Sequence, residues 1–221
     1  MCIRDRHYAV GHLEYVHDNT LNTAQNIWNG LRFKIYGDYN VNVTNISKTS
    51  STYNIGFDAR YYHKIYRNFI WAIRAAGDMS FGDRKIIYYL GGADGWINPK
   101  FNNDNPPNAK EDYIFQTLAL NMRGFNQNVA NGSRAVVVNS EFRLPILSTF
   151  FNTPSRSPIL SNLQFIQFFD IGTAWEGGFE NIKRPTVNVT TPPLNVFVKT
   201  GGIGPFVAGY GFGSVSYTHL L

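Results

Sequence analysis

Three short runs hold the polar groups that could act together: Met122-Arg123-Gly124-Phe125, Asn139-Ser140-Glu141-Phe142-Arg143 and Phe168-Phe169-Asp170-Ile171-Gly172. An arginine offers a planar fork of donors that suits carboxylates, and away from water its charge must be paired. Alternation along residues 134–144 sets Val136, Val138, Phe142 and Leu144 on one side and Asn139, Glu141 and Arg143 on the other. Along 163–175, Leu163, Phe165, Phe169, Ile171 and Trp175 oppose Asp170 and Gly172. Both carboxylates are therefore expected on the same face of adjacent antiparallel strands, with Arg123 as their partner. Residues 123–134 reach up to about 36 Å when extended, at roughly 3.3 Å per residue, enough to fold inward over that face. Gly124 would permit a tight turn, and Phe125 would wedge against the wall. Taken alone, Arg-Gly-Phe fits a surface turn equally well; the ordered triple is more specific. Glu141 with Asp170 as an acid/base pair is the rival chemistry, and a structural ion pair with Arg123 is preferred.

Nothing else in the chain suggests a reaction. There is no Gly-x-Ser-x-Gly elbow, phosphate-binding loop or His-Glu-x-x-His, so no catalytic residue, cofactor or metal site is expected. His7, His12 and His17 recur every five residues, which on a strand puts neighbours on opposite faces. His63 reads as an inward or interface side chain. The only cysteine, Cys2, excludes a disulfide framework. Gly209, Gly211 and Gly213 share one face, where backbones approach closely. The net charge is +5, but Lys and Arg are scattered among Asp and Glu, so nucleic acid is not an expected partner.

The elements that must position these groups are strands. Leu31, Phe33, Ile35, Tyr39, Val41 and Val43 alternate with Arg32, Lys34, Tyr36, Asp38, Asn40 and Asn42, and the same period recurs over 53–65 and 69–81. Ile70 intrudes on the polar side of the last. Further strands are predicted at 8–17, 86–90, 134–148, 162–175 and 206–213. Runs of about 12 residues exceed the usual five or six. Charged residues make up only 16% and aromatics 15%, which suggests that something other than water faces much of the surface. No apolar run is long enough for a membrane helix, a test that leaves strand crossings open.

The expected fold is all-β: an antiparallel transmembrane β-barrel, here a portion of about eight or nine strands that would show as an open curved sheet. Residues 98–108 and 121–133 are expected to be a functional loop region, and 176–193 a solvated loop. Trp71, Trp96 and Trp175 suit an interfacial aromatic girdle, Trp96 equally a loop anchor. Residues 1–6 (MCIRDR) and 214–221 (SVSYTHLL) resemble translated sequencing-adapter tails and are set apart from 7–213, which leaves Cys2 and His219 without function.

With the motifs in this order, the chain resembles the C-terminal barrel of the BamA-like bacterial surface antigen superfamily. MRGF resembles that family's inward-folded loop motif, with Met122 where Val is usual. NSEFRLPI and FFDIGTAW resemble its two following strands, and EYVHDNT and GYGFG extend the likeness over most of residues 11–213. LRFKIYGDY and YYLGGADGW resemble a branch of TolB-like translocation proteins. The resemblance implies a bacterial outer-membrane location, lipid around the barrel, and a loop motif Arg123-Gly124-Phe125 held by Asp170 and Glu141. Asn139, Phe168 and Gly172 belong to the strand motifs. It further implies a non-enzymatic role in protein assembly or translocation, with unfolded outer-membrane or secreted clients and periplasmic accessory domains. The alternatives are a passive pore or surface receptor, and a soluble lipocalin-like or sandwich protein.

Overall fold

The structure is a computed structural model that describes residues 7–24, 26–44, 50–92, 98–103, 105–107, 112–151, 157, 162–179, 182, 186–191, 194–199 and 206–216, with 186–191 and 194–199 as backbone only. Cys2, Trp96 and His219 lie outside these residues. In chain order the first strands are β1 (Tyr8–Asp18), β2 (Leu21–Ala24), β3 (Ile27–Asn42), β4 (Ser51–Tyr66), β5 (Phe69–Gly82), β6 (Lys85–Leu90), β7 (Tyr113–Leu120) and β8 (Ala130–Gly132). There follow β9 (Arg134–Pro145), a helical turn α1 (Ile146–Phe150), β10 (Leu163–Trp175), β11 (Thr186–Thr191), β12 (Leu194–Lys199) and β13 (Val207–Ser216).

Strict alternation produces one large antiparallel sheet in the order β1-β3-β4-β5-β9-β10-β13, with β2 on β3. β1 and β13 form its edges and do not pair with each other, so the sheet is open. Tight turns make the hairpins: Asn26 between β2 and β3 and Arg67 between β4 and β5 adopt left-handed backbone, at φ 57° and 47°.

The two faces are inverted relative to a water-soluble sheet. On β4, Tyr53, Ile55 and Phe57 are 40–46% exposed, whereas the alternating Thr52, Asn54 and Asp58 are at most 9% exposed. Register extends the contrast across the sheet: Tyr15, Ile35 and Phe57 lie in one bare row, and Tyr39, Tyr53 and Phe81 in another. The opposite, inner face is covered by a three-stranded unit, β7-β6-β8. Ile86, Tyr88, Leu90, Leu120, Met122 and Ala130 of that insert pack on Ala76, Ala135, Val137, Ala174 and Val207 of the large sheet. Water-excluded apolar contact therefore gathers on the otherwise polar side, under the insert.

Four segments differ from expectation. The strand predicted over 134–148 stops at Pro145, which has no N–H for the ladder, and α1 follows. The region read as a solvated loop contains the β11–β12 hairpin, and its first residue is an anchor: Glu176 accepts from Lys85 Nζ at 2.6 Å and from Ser133 N and Oγ at 3.0 Å. β6 and β7 pair in parallel, a departure from an all-antiparallel chain. Parallel neighbours need a crossover of a dozen or more residues, which the long polar stretch between them supplies. β13 runs on to Ser216, so Ser214–Ser216 pair with β10.

Candidate functional site

Consecutive strands place the inner-face polar groups in cross-sheet rows. One row reads Asp18, Arg32, Arg60, Arg74, Asn139, Asp170, Gly209, from β1 to β13. The next reads Gly30, Tyr62, Ala72, Glu141, Phe168, Gly211. Glu141 and Asp170 are thus diagonal neighbours on adjacent strands. Diagonal positions lie about 7–8 Å apart, a span that one guanidinium can bridge.

Arg123 makes that bridge. Its Nε donates to Asp170 Oδ2 at 2.8 Å, its Nη2 to Asp170 Oδ1 at 2.6 Å, and its Nη1 to Glu141 Oε1. Its backbone N–H donates to Asp170 Oδ2 at 3.2 Å. The guanidinium also lies over the Phe168 ring, 4.1 Å from the centroid, a cation–π contact. Asp170 is fully buried, and the Arg123 side chain is one quarter exposed.

The segment reaches this position because its neighbours make room. Gly124 has φ 90°, a conformation that favours glycine. A Cβ at Gly209 would strike the Arg123 carbonyl, and one at Gly211 would come within 2.7 Å of the Phe168 ring. Gly213 has open space around its Cβ position. At Gly172 a Cβ would fall 2.6 Å from Val137 Cγ2 and 2.9 Å from the Val136 carbonyl, so this glycine lets β9 and β10 carry the packed Met122. Met122 is fully buried and bridges antiparallel to Gly92, whose N–H donates to the Phe125 carbonyl at 2.9 Å. Phe125 packs against the insert core.

All eight residues singled out from the sequence therefore lie in one neighbourhood. Arg123, Glu141, Asp170 and Phe168 are in direct contact; Gly124 and Phe125 shape the loop, and Gly172 the wall. Asn139 stands beside Asp170 in the register and lines the adjoining cavity.

Two partners were not foreseen. Arg143 holds the other oxygen of Glu141, Nε to Oε2 at 2.8 Å and Nη2 at 2.7 Å, and reaches Asn26 Oδ1 at 3.0 Å in the β2–β3 turn. A second ion cluster surrounds Asp58: Arg60 donates through Nε at 3.0 Å and Nη2 at 2.9 Å, and Arg74 Nη2 at 2.7 Å. The alternation already placed Asp58, Arg60 and Arg74 on the polar side; the β4–β5 register that joins them depends on the Arg67-Asn68 turn. Elsewhere on this face Tyr36 donates to Asp78 and Tyr88 to Asn54, and burial pushes the Tyr88 phenol well up.

A cavity of about 340 Å³ lies between the two ion clusters, lined by Arg60, Tyr62, Arg74, Asn139, Glu141 and Arg143 among others. Every carboxylate of the two clusters is engaged by a guanidinium, which suits a fixed scaffold better than proton transfer. Trp71 and Trp175, expected at an aromatic girdle, differ in setting: Trp71 stacks on Phe142 of the bare face at 5.9 Å, whereas Trp175 is buried. Among the described residues no group of His, Cys, Asp and Glu could hold a metal ion, and no helix is long and apolar enough to cross a membrane. No protein-family model, curated protein or solved structure matches the chain.

Proposed function

We propose that this chain is part of a transmembrane β-barrel of the bacterial outer membrane, in a protein assembly or translocation factor of the BamA-like superfamily. The observation that supports the reading best is the Arg123 clamp: a loop arginine folded onto the inner face and held by carboxylates from two adjacent strands. The bare apolar face agrees with it, because lipid is the environment in which outward Tyr, Ile, Phe and Val side chains are stabilising and inward charges stay hydrated or paired. In this reading lipid surrounds the wall and the inner face lines the lumen. The latched insert sets the shape of the wall, and strand edges receive incoming strands of unfolded outer-membrane or secreted clients by backbone pairing. Accessory periplasmic domains would belong to the longer protein, and no step requires a reaction or a cofactor.

Genetic depletion tests the role. The full-length gene is expected to restore outer-membrane protein assembly in a strain depleted of it, and Arg123→Ala at equal abundance is expected to restore it poorly. Normal barrel assembly after deletion would refute the assembly role and leave a passive pore or surface receptor.

A further inference from the structure

Around the inner-face cavity, guanidiniums outnumber the carboxylates that pair with them. Arg32, Arg60 and Arg74 occupy directly opposed positions on β3, β4 and β5. Like charges facing each other across neighbouring strands are destabilising, so such a row needs compensation. Asp18 is 3.6 Å from Arg32, and Asp58 is shared by Arg60 and Arg74. Both of the latter donate to Asp58 through Nε and Nη2, which turns each Nη1 end away from that carboxylate. The two side chains remain 38% and 34% exposed, whereas Asp58 is 11% exposed. Across the cavity stand Arg123 and Arg143, whose charges are balanced by Glu141 and Asp170. Four guanidiniums thus meet three carboxylates around one cavity of about 340 Å³, and the unbalanced charge lies on the Arg60–Arg74 side.

We infer that this basin is a binding site for an oxyanion, a carboxylate or phosphate group on a small solute. Guanidinium ends set side by side present several N–H donors to the oxygens of such a group, which chloride cannot engage with the same geometry. The volume holds the anionic group together with a small organic substituent. Asn139 lines the cavity beside Arg74 and adds an amide to the wall. The site stands on the row of arginines and the cavity, and does not depend on lipid facing the opposite side of the sheet.

The test uses the full chain folded in detergent micelles, titrated calorimetrically with inorganic phosphate and, separately, with acetate, sodium chloride holding the ionic strength constant. Saturable binding of phosphate or acetate is expected. Arg60→Gln is the informative variant, because Asp58 keeps its Arg74 partner; it should weaken binding tenfold or more, and Arg60→Lys by less. As a second measurement, phosphate should slow phenylglyoxal modification of Arg60 and Arg74 in the unaltered protein, where no variant has to fold. Absence of saturable binding by both anions, wild-type affinity in Arg60→Gln, or unchanged modification rates under phosphate would each overturn the site.

Discussion

Replacing Arg123 by Met removes the only cation that touches Asp170 among the described residues. In the wild type, that fully buried carboxylate accepts two side-chain bonds, at 2.6 and 2.8 Å, and a longer backbone bond at 3.2 Å. With Met at 123 only the backbone donor stays, and a buried charge is left without compensation. Breaking a buried pair from one side costs about 3–5 kcal/mol. Arg123 is one quarter exposed, so screening puts the expected loss near the lower end, about 3 kcal/mol. Asp170→Asn should cost less, about 1.5–3 kcal/mol, because Arg123 keeps Glu141 and the amide oxygen still accepts. The double variant should cost less than the sum of the singles, with a coupling of about 2 kcal/mol, since Arg123→Met strands the Asp170 charge that Asp170→Asn removes. Urea unfolding of the detergent-folded chain measures this: at slopes of about 1–3 kcal/mol per molar, the Arg123→Met midpoint falls by about 1–3 M. A coupling below about 0.5 kcal/mol would refute the clamp, because contacting charges in one network are not additive.

Other positions on the same sheet give sharper contrasts. Gly209→Ala should push the loop off β13 and cost about 1–3 kcal/mol by overpacking, whereas Gly213→Ala, with open space at its Cβ, should stay within about 0.5 kcal/mol; the pair is compared by heat-modifiability on gels and by urea unfolding. Ile35→Lys is a test of what covers the bare face. Ile35 is 52% exposed, so in water the change should be nearly neutral, but with lipid over that face it should cost about 2–4 kcal/mol on folding into phosphatidylcholine vesicles. Equal stability of wild type and variant in vesicles would remove the membrane reading. Tyr88→Phe leaves the buried Asn54 without its donor and should cost about 1–3 kcal/mol, read as faster hydrogen exchange in the insert than at β9–β10.

The long strands were legible because one-sided burial writes a period of two into the sequence, and register then follows from keeping that period across neighbours. The site was legible for the same reason: Glu141 and Asp170 had to share a face once β9 and β10 were adjacent. β6 was legible as a strand but not in its pairing. In Lys85–Leu90 the run Ile86, Ile87, Tyr88 is buried on both sides, and a strand covered on two faces loses its alternation, so neither its partners nor their direction can be inferred. The Arg143–Asn26 contact was illegible on different grounds, since it depends on how the β2–β3 turn lies against β9.

The glycines connect what was legible with what was not. Gly209 and Gly211 were visible as a small-residue face on β13, a pattern that by itself fits a seam between strands. In the fold that face is occupied: the Arg123 carbonyl lies 2.4 Å from where a Cβ at 209 would stand, and the Phe168 ring beneath the guanidinium abuts 211. The bare backbone of β13, the Arg123 fork and the carboxylates of β9 and β10 are therefore parts of one device. Enlarging β13 at 209 and removing Asp170 should loosen the same segment, although the two positions share no charge chemistry. If the two changes, made separately, expose Arg123 to phenylglyoxal to a similar extent, the loop moves as a unit; if only the Asp170 change does, the glycine face serves the sheet and not the clamp.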